Sequence, residues 1–268
     1  MTSAESTGQI FSPLYFPKSV EELLAGPFIS KLMLGFTAAV NLPIALADIP
    51  GQRYGLFHAP EELRDKHFSK FCGCIRSPEV GLDQECIRWD SFVASVLLGK
   101  LDTNQCQEFV TKIRWGEEFR PTPAGRMTRE QLQEIFNKPF PCHARMIDVA
   151  RVIQIAGKPF AVLHGGQIPP TKQDNPAWRA LMKQRLRSLL PQKTEEEIKE
   201  LLDLVETTEI PGRSAKTLEE LNQFRNKRVE EFHKFADELQ VVLEETYKQR
   251  RLASEESGLA SIWWTSVG

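Results

Sequence analysis

The feature that most constrains this chain is a pair of strand-like apolar runs, residues 146–155 and 159–166, separated only by Ala156-Gly157-Lys158. A glycine in so short a connection is what a tight hairpin needs, so the runs pair antiparallel. A shorter β-type run, residues 43–50, ends in the turn signal Pro50-Gly51, with residues 52–57 as its candidate partner strand. Apolar residues from Leu23 to Val40 recur at helical spacing, with Pro27 as a break or a new start. Thr128 and Gln131 have capping-box spacing ahead of a short helix ending near Lys138. The expected fold is a mixed α+β domain over residues 19–170, preceded by a loosely ordered arm, residues 1–18.

After Pro169-Pro170 the composition changes. Residues 176–252 read as three helices beginning at Pro176, Thr194 and Thr217, and each threonine has a glutamate three residues on. The last helix is long, with a stripe that includes Leu221, Phe224, Val229, Phe232, Phe235, Leu239 and Leu243. Such a stripe either docks on the domain or forms a two-helix contact with a second copy. Residues 253–268 read as a flexible tail with an apolar tip at Trp263-Trp264.

The chain has 268 residues, so it is long enough to bury a core without disulfides or metals. Its net charge of −2 lacks the basic footprint of a nucleic-acid binder. The one basic run, residues 183–187, is followed at once by Glu195–Glu197 and reads as a solvated face. No signal peptide and no run of about 18 apolar residues is visible, which argues against a membrane span. Five cysteines, an odd number, do not make a closed disulfide framework, so a reducing, cytoplasmic setting is expected.

The chemistry-bearing residues fall into two clusters. One is Phe71-Cys72-Gly73-Cys74-Ile75-Arg76 with Cys86; the other is Cys142-His143 with Asp148 and the Gly165-Gly166-Gln167 run. The thiols and His143 amount to a Cys₃His or Cys₄ donor set, suited to zinc or an iron–sulfur cluster. Their spacing is not that of a standard zinc finger, and free cysteine also packs as a small hydrophobe. As a nucleophile–base dyad Cys142-His143 is poorly placed, because adjacent residues of an extended segment point to opposite faces. His58, His67 and His164 are other candidate bases that nothing distinguishes. The double glycine lacks the context of a phosphate loop and fits a close backbone approach at a strand end.

Taken in order, these residues resemble the PocR-type sensory domain, a divergent PAS-like ligand-binding module of bacterial transcription regulators and histidine kinases. The likeness covers about residues 28–170. It rests on the Phe-Cys-x-x-x-Arg pattern at Phe71, Cys72 and Arg76, a second cysteine at Cys86, the Cys-His-x-x-x-x-Asp stretch at Cys142, His143 and Asp148, and the closing Gly166-Gln167. Where the family commonly has Ala-Gly-Leu after Cys-His, this chain has Ala144-Arg145-Met146. That change is expected to alter the size and polarity of the pocket.

The resemblance implies a non-enzymatic, cytoplasmic sensor with a PAS-like antiparallel sheet flanked by helices. Its ligand, a small organic effector such as a small diol, would be held by Cys72, Arg76, Cys86, Cys142, His143, Asp148 and Gln167. Trp89 and Trp115 are candidate walls. No output domain is recognisable after residue 170, so the signal would pass through the C-terminal helices to a homodimer mate or a separate output protein. The alternative is a metal, iron–sulfur or redox sensor using Cys72, Cys86 and Cys142 as ligands, with His143 or Cys74 completing the set.

Overall fold

A computed structural model describes residues 27–40, 42–48, 56–58, 70–106, 127–168, 175–206 and 218–265. The helices among them are α1 (Pro27–Val40), α2 (Lys70–Ile75), α3 (Asp83–Leu97), α4 (Arg129–Phe136), α5 (Asn175–Leu189), α6 (Glu195–Glu206) and α7 (Leu218–Thr265). The strands are β1 (Ile44–Asp48), β2 (Leu56–His58), β3 (Phe140–Pro141), β4 (Ile147–Ile155) and β5 (Lys158–Ile168). The expected α+β architecture is present: an antiparallel sheet with flanking helices, followed by helices that end in a long one.

The strands are ordered β2-β1-β5-β4-β3, and every neighbouring pair is antiparallel. The β4–β5 hairpin is the backbone of the sheet. Its turn residues Ala156 and Gly157 have φ of 53° and 69°, the left-handed pair that a two-residue type I′ connection requires. β5 is central and covered on both faces, which explains its unbroken run of buried residues from Ala161 to Gly166.

Side-chain alternation gives the two faces different partners. Ile44 and Leu46 of β1, Val149 and Ile153 of β4, and Ala161 and Leu163 of β5 pack against Met33 of α1 and Phe232, Phe235 and Leu239 of α7. Ala47, Ala150 and Val162 face the other way, onto Trp89, Phe92 and Val96 of α3 and Leu132 and Phe136 of α4. A third apolar cluster joins α2, α5 and α6 around Ala144 and Met146.

Local sequence signals explain the helix ends. Thr128 accepts the Gln131 N–H while Gln131 Oε1 accepts the Thr128 N–H at 2.8 Å, a complete capping box. Thr194 and Glu197 repeat it at α6, with the Thr194 N–H donating to Glu197 Oε2 at 2.7 Å. The third such signal, at Thr217, lies outside the described residues, as does the arm.

α7 spans 48 residues, about 72 Å at the usual rise per residue. Part of its stripe docks on the domain, with Phe232, Phe235, Leu239 and Leu243 in the core. Arg151 of β4 pairs with Asp237 at 3.2 Å, and the Gln240 amide makes two 2.6 Å bonds to the backbone N–H and C=O of Gln154. The helix runs on to Thr265, through residues that read as a flexible tail. The segment from 253 to 265 contains no proline, and its one glycine, Gly258, weakens a helix already formed without breaking it. Among the described residues no helix is long and apolar enough to cross a membrane.

Candidate functional site

All seven residues singled out as ligand-binding, Cys72, Arg76, Cys86, Cys142, His143, Asp148 and Gln167, line one cavity of about 120 Å³. It lies on the sheet face opposite α7, between α2–α3 and the ends of β1, β4 and β5. Pro43, Ala45, Ile75, Ala144 and the Gly165-Gly166 backbone complete the wall. Five distant stretches of sequence are thus brought to one place by the fold.

Each element aims its residues for an identifiable reason. On α3, Cys86 and Asp90 are one turn apart and share a face. Arg76, just beyond the short α2, bridges back to that helix, with Nε 2.8 Å from Asp83 Oδ1 and Nη1 3.7 Å from Asp90 Oδ2. Cys142 and His143 lie in the tight turn between β3 and β4. The Cys142 N–H donates to Met146 O at 2.7 Å and the Arg145 N–H to Cys142 O at 2.8 Å. Arg185 of α5 braces that turn by donating from Nε to His143 O at 3.1 Å. The His143 ring then points its Nε2 at Cys86 Sγ, 3.0 Å away.

At the β4–β5 end, Asp148 Oδ1 accepts the Gln167 N–H at 3.0 Å. Two local features serve this contact. Gln167 has φ of 61°, a left-handed conformation uncommon for a residue with a side chain. Gly166 leaves the space: a Cβ there would overlap the Asp148 carboxyl, standing 2.7 Å from its Cγ.

The site keeps most of its groups uncharged. Burial holds the His143 imidazole down to about 3, helped by the nearby Arg185 and Arg76 charges, and burial alone does the same for His164. Burial pushes the Cys86 and Cys142 thiols well up, Cys142 further because of Asp148. Cys86 and His143 therefore meet as a neutral thiol and a neutral imidazole, rather than as a thiolate–imidazolium pair. Asp148 is raised well above the usual carboxylate range, by burial first and then by Asp90. Asp90 is raised by burial too, with Arg76 pulling the other way.

Several sequence expectations are corrected. Trp89 does not line the cavity: it is 1% exposed and packs against Phe136 and Phe140, with ring centroids 5.7 and 6.3 Å away. Trp115 lies outside the described residues. Arg145 and Met146 do not change the pocket wall, because the turn carries them away from it and Met146 is wholly buried with α5 and α6. Cys74 also faces that cluster. The metal set is not assembled: among the described residues, no group of three or more His, Cys, Asp or Glu side chains is placed to hold a metal ion. Cys86 and His143 direct their donor atoms at each other instead of at a common point.

Sequence reasoning misses Asp90, although its i+4 spacing from Cys86 places it on the same face. It also leaves His164 undistinguished from the other histidines. The alternation that puts Val162 on the α3 side of β5 puts His164 there as well.

No protein-family model, curated protein or solved structure matches the chain.

Proposed function

We propose that the chain is a PAS-like sensory module of the PocR type, non-enzymatic, that binds a small organic effector in this cavity. It passes the bound state through α7 to a dimer mate or a separate output protein. The observation that carries this reading is the convergence of all seven ordered positions on one cavity. The cavity's size supports a small ligand, since an apolar cavity of about 150 Å³ accommodates benzene, a molecule of about six heavy atoms. Its mixed lining, with apolar walls and a few aimed polar groups, is that of a binding pocket.

The relay follows from the position of β5. Gly165 lines the cavity with its backbone, and on the opposite face the space where a Cβ would sit is taken by Phe232 of α7. A ligand that prefers one placement of β5 biases α7 by its differential affinity for the two arrangements.

Thermal unfolding against a panel of diols, amines and acids of up to about six heavy atoms tests the reading. One chemical class is expected to raise the midpoint, and to go on raising it as its concentration increases. A panel in which nothing shifts it would count against a sensor of small organic effectors.

A further inference from the structure

The cavity contains a carboxylate, Asp148, that no ion pair engages among the described residues. Among the charged groups of the lining, Arg76 is engaged by Asp83 and Asp90. Asp148 has no basic side chain within ion-pair distance among the described residues, and the bond it accepts comes from the Gln167 N–H. Yet two local features are committed to holding it there: the left-handed backbone of Gln167 and the absence of a side chain at Gly166. Strain and a strand glycine kept at one spot are the usual mark of a site whose geometry serves function. In the lining Arg76 serves Asp90, so an ionised Asp148 has no cation of its own.

A buried polar group lies on the same wall. His143 is 6% exposed, and its Nδ1 has no hydrogen-bond partner among the described residues. A buried polar atom left this way is completed by a ligand or water.

Resting on the sensor reading, we infer that the effector is a short protonated amine bearing a hydroxyl, its ammonium on Asp148 and its hydroxyl on His143. Ala45, Ile75 and Ala144 take the hydrocarbon body. The ammonium supplies the missing charge and replaces the proton that burial otherwise keeps on Asp148. A carboxylate effector is disfavoured, because the one cation of the lining, Arg76, is already engaged by Asp83 and Asp90.

Calorimetric titration of the full chain with 1-amino-2-propanol, the isosteric 1,2-propanediol and lactate tests this. The amine is expected to bind about tenfold tighter than the diol, and Asp148→Asn to remove that preference while diol binding persists. Titrations of the unaltered chain in two buffers of different ionisation enthalpy give a readout independent of any variant. They should show proton release on binding the amine that increases toward acid pH, and none with the diol. A diol or lactate that binds tighter than the amine, or amine binding without proton release, overturns the amine assignment and leaves the sensor reading standing. Binding of none of the three overturns the assignment, and only an equally silent wider panel would remove the sensor reading as well.

Discussion

Gly165 and the ring of Phe232 are so close that a Cβ on the glycine would stand 2.8 Å from two ring carbons. Phe232 is wholly buried against the sheet, so its ring has little room to withdraw. Gly165→Ala should therefore destabilise the fold by about 1–3 kcal/mol. In the Phe232→Leu background the same change should cost distinctly less, since the opposing ring edge is gone. Urea unfolding of the four proteins measures the coupling, and additive effects would show that the contact does not constrain α7.

The neighbouring glycine faces the other way. Gly166→Ala would drive a methyl into the Asp148 carboxyl. Its expected effect is loss of ligand binding with α7 still docked. Binding measured by thermal shift, with far-ultraviolet circular dichroism as the fold check, separates the two glycines; unchanged binding would show that the Asp148 position is not critical.

Arg145 has φ of 67°, a conformation that costs a residue with a Cβ about 1–2 kcal/mol. Arg145→Gly removes that strain, at the expense of a floppier unfolded chain. It also removes a positive charge close to Arg185. The net expectation is a gain of about 0.5–1 kcal/mol in unfolding free energy, with ligand affinity unchanged because Arg145 is not part of the lining. A loss of stability would mean that the arginine's packing outweighs its backbone strain.

Arg145 also marks the boundary between the legible and illegible parts of the sequence. The order of cysteines, His143, Asp148 and Gln167 locates the cavity, and the Gly157 hairpin locates the sheet, because both are carried by local spacing. The direction of Arg145 and Met146 is not legible, since a left-handed residue in the turn redirects the chain beyond it. Trp89 misleads for a related reason. On α3 the cavity face begins at Cys86 and continues at Asp90, and Trp89, which lies between them in the sequence, belongs to the aromatic cluster. Residues 253–265 read as a tail because of their serines and Gly258, while a helix already nucleated adds one hydrogen bond for each residue by which it extends.

Acid stability depends on two opposing sets of groups. Unfolded histidines titrate near 6.5 and the folded His143 and His164 near 3. Below about pH 6.5 the unfolded chain binds more protons at these sites, so each withdraws up to about 1.4 kcal/mol of stability per pH unit. Asp148 and Asp90 are raised in the folded chain. They take up protons before their unfolded counterparts, so stability is gained as pH falls toward about 4. Asp148→Asn removes one compensating group. Its stability should fall more steeply than that of the parent between about pH 6.5 and 4, by up to one proton's worth per unit. Parallel pH profiles from urea midpoints would contradict the proton-holding state of Asp148.

The raised thiols make a kinetic prediction. Cys86 and Cys142 should alkylate far more slowly with iodoacetamide at about pH 7.5 than a free cysteine, because the thiolate is the reactive form. Peptide-level mass spectrometry reads the rates, and rapid labelling of Cys86 would show an activated thiol in place of a neutral one.

In the proposed sensor, occupancy of the cavity is felt by the long helix. Hydrogen–deuterium exchange, with and without the compound that most raises the unfolding midpoint, tests it directly. Protection should change at residues 163–167 of the β5 end and at residues 228–243 of α7, on opposite sides of Gly165. Changes confined to α2, α3 and the 142–148 turn would show a pocket that binds without signalling through α7, and would contradict the account.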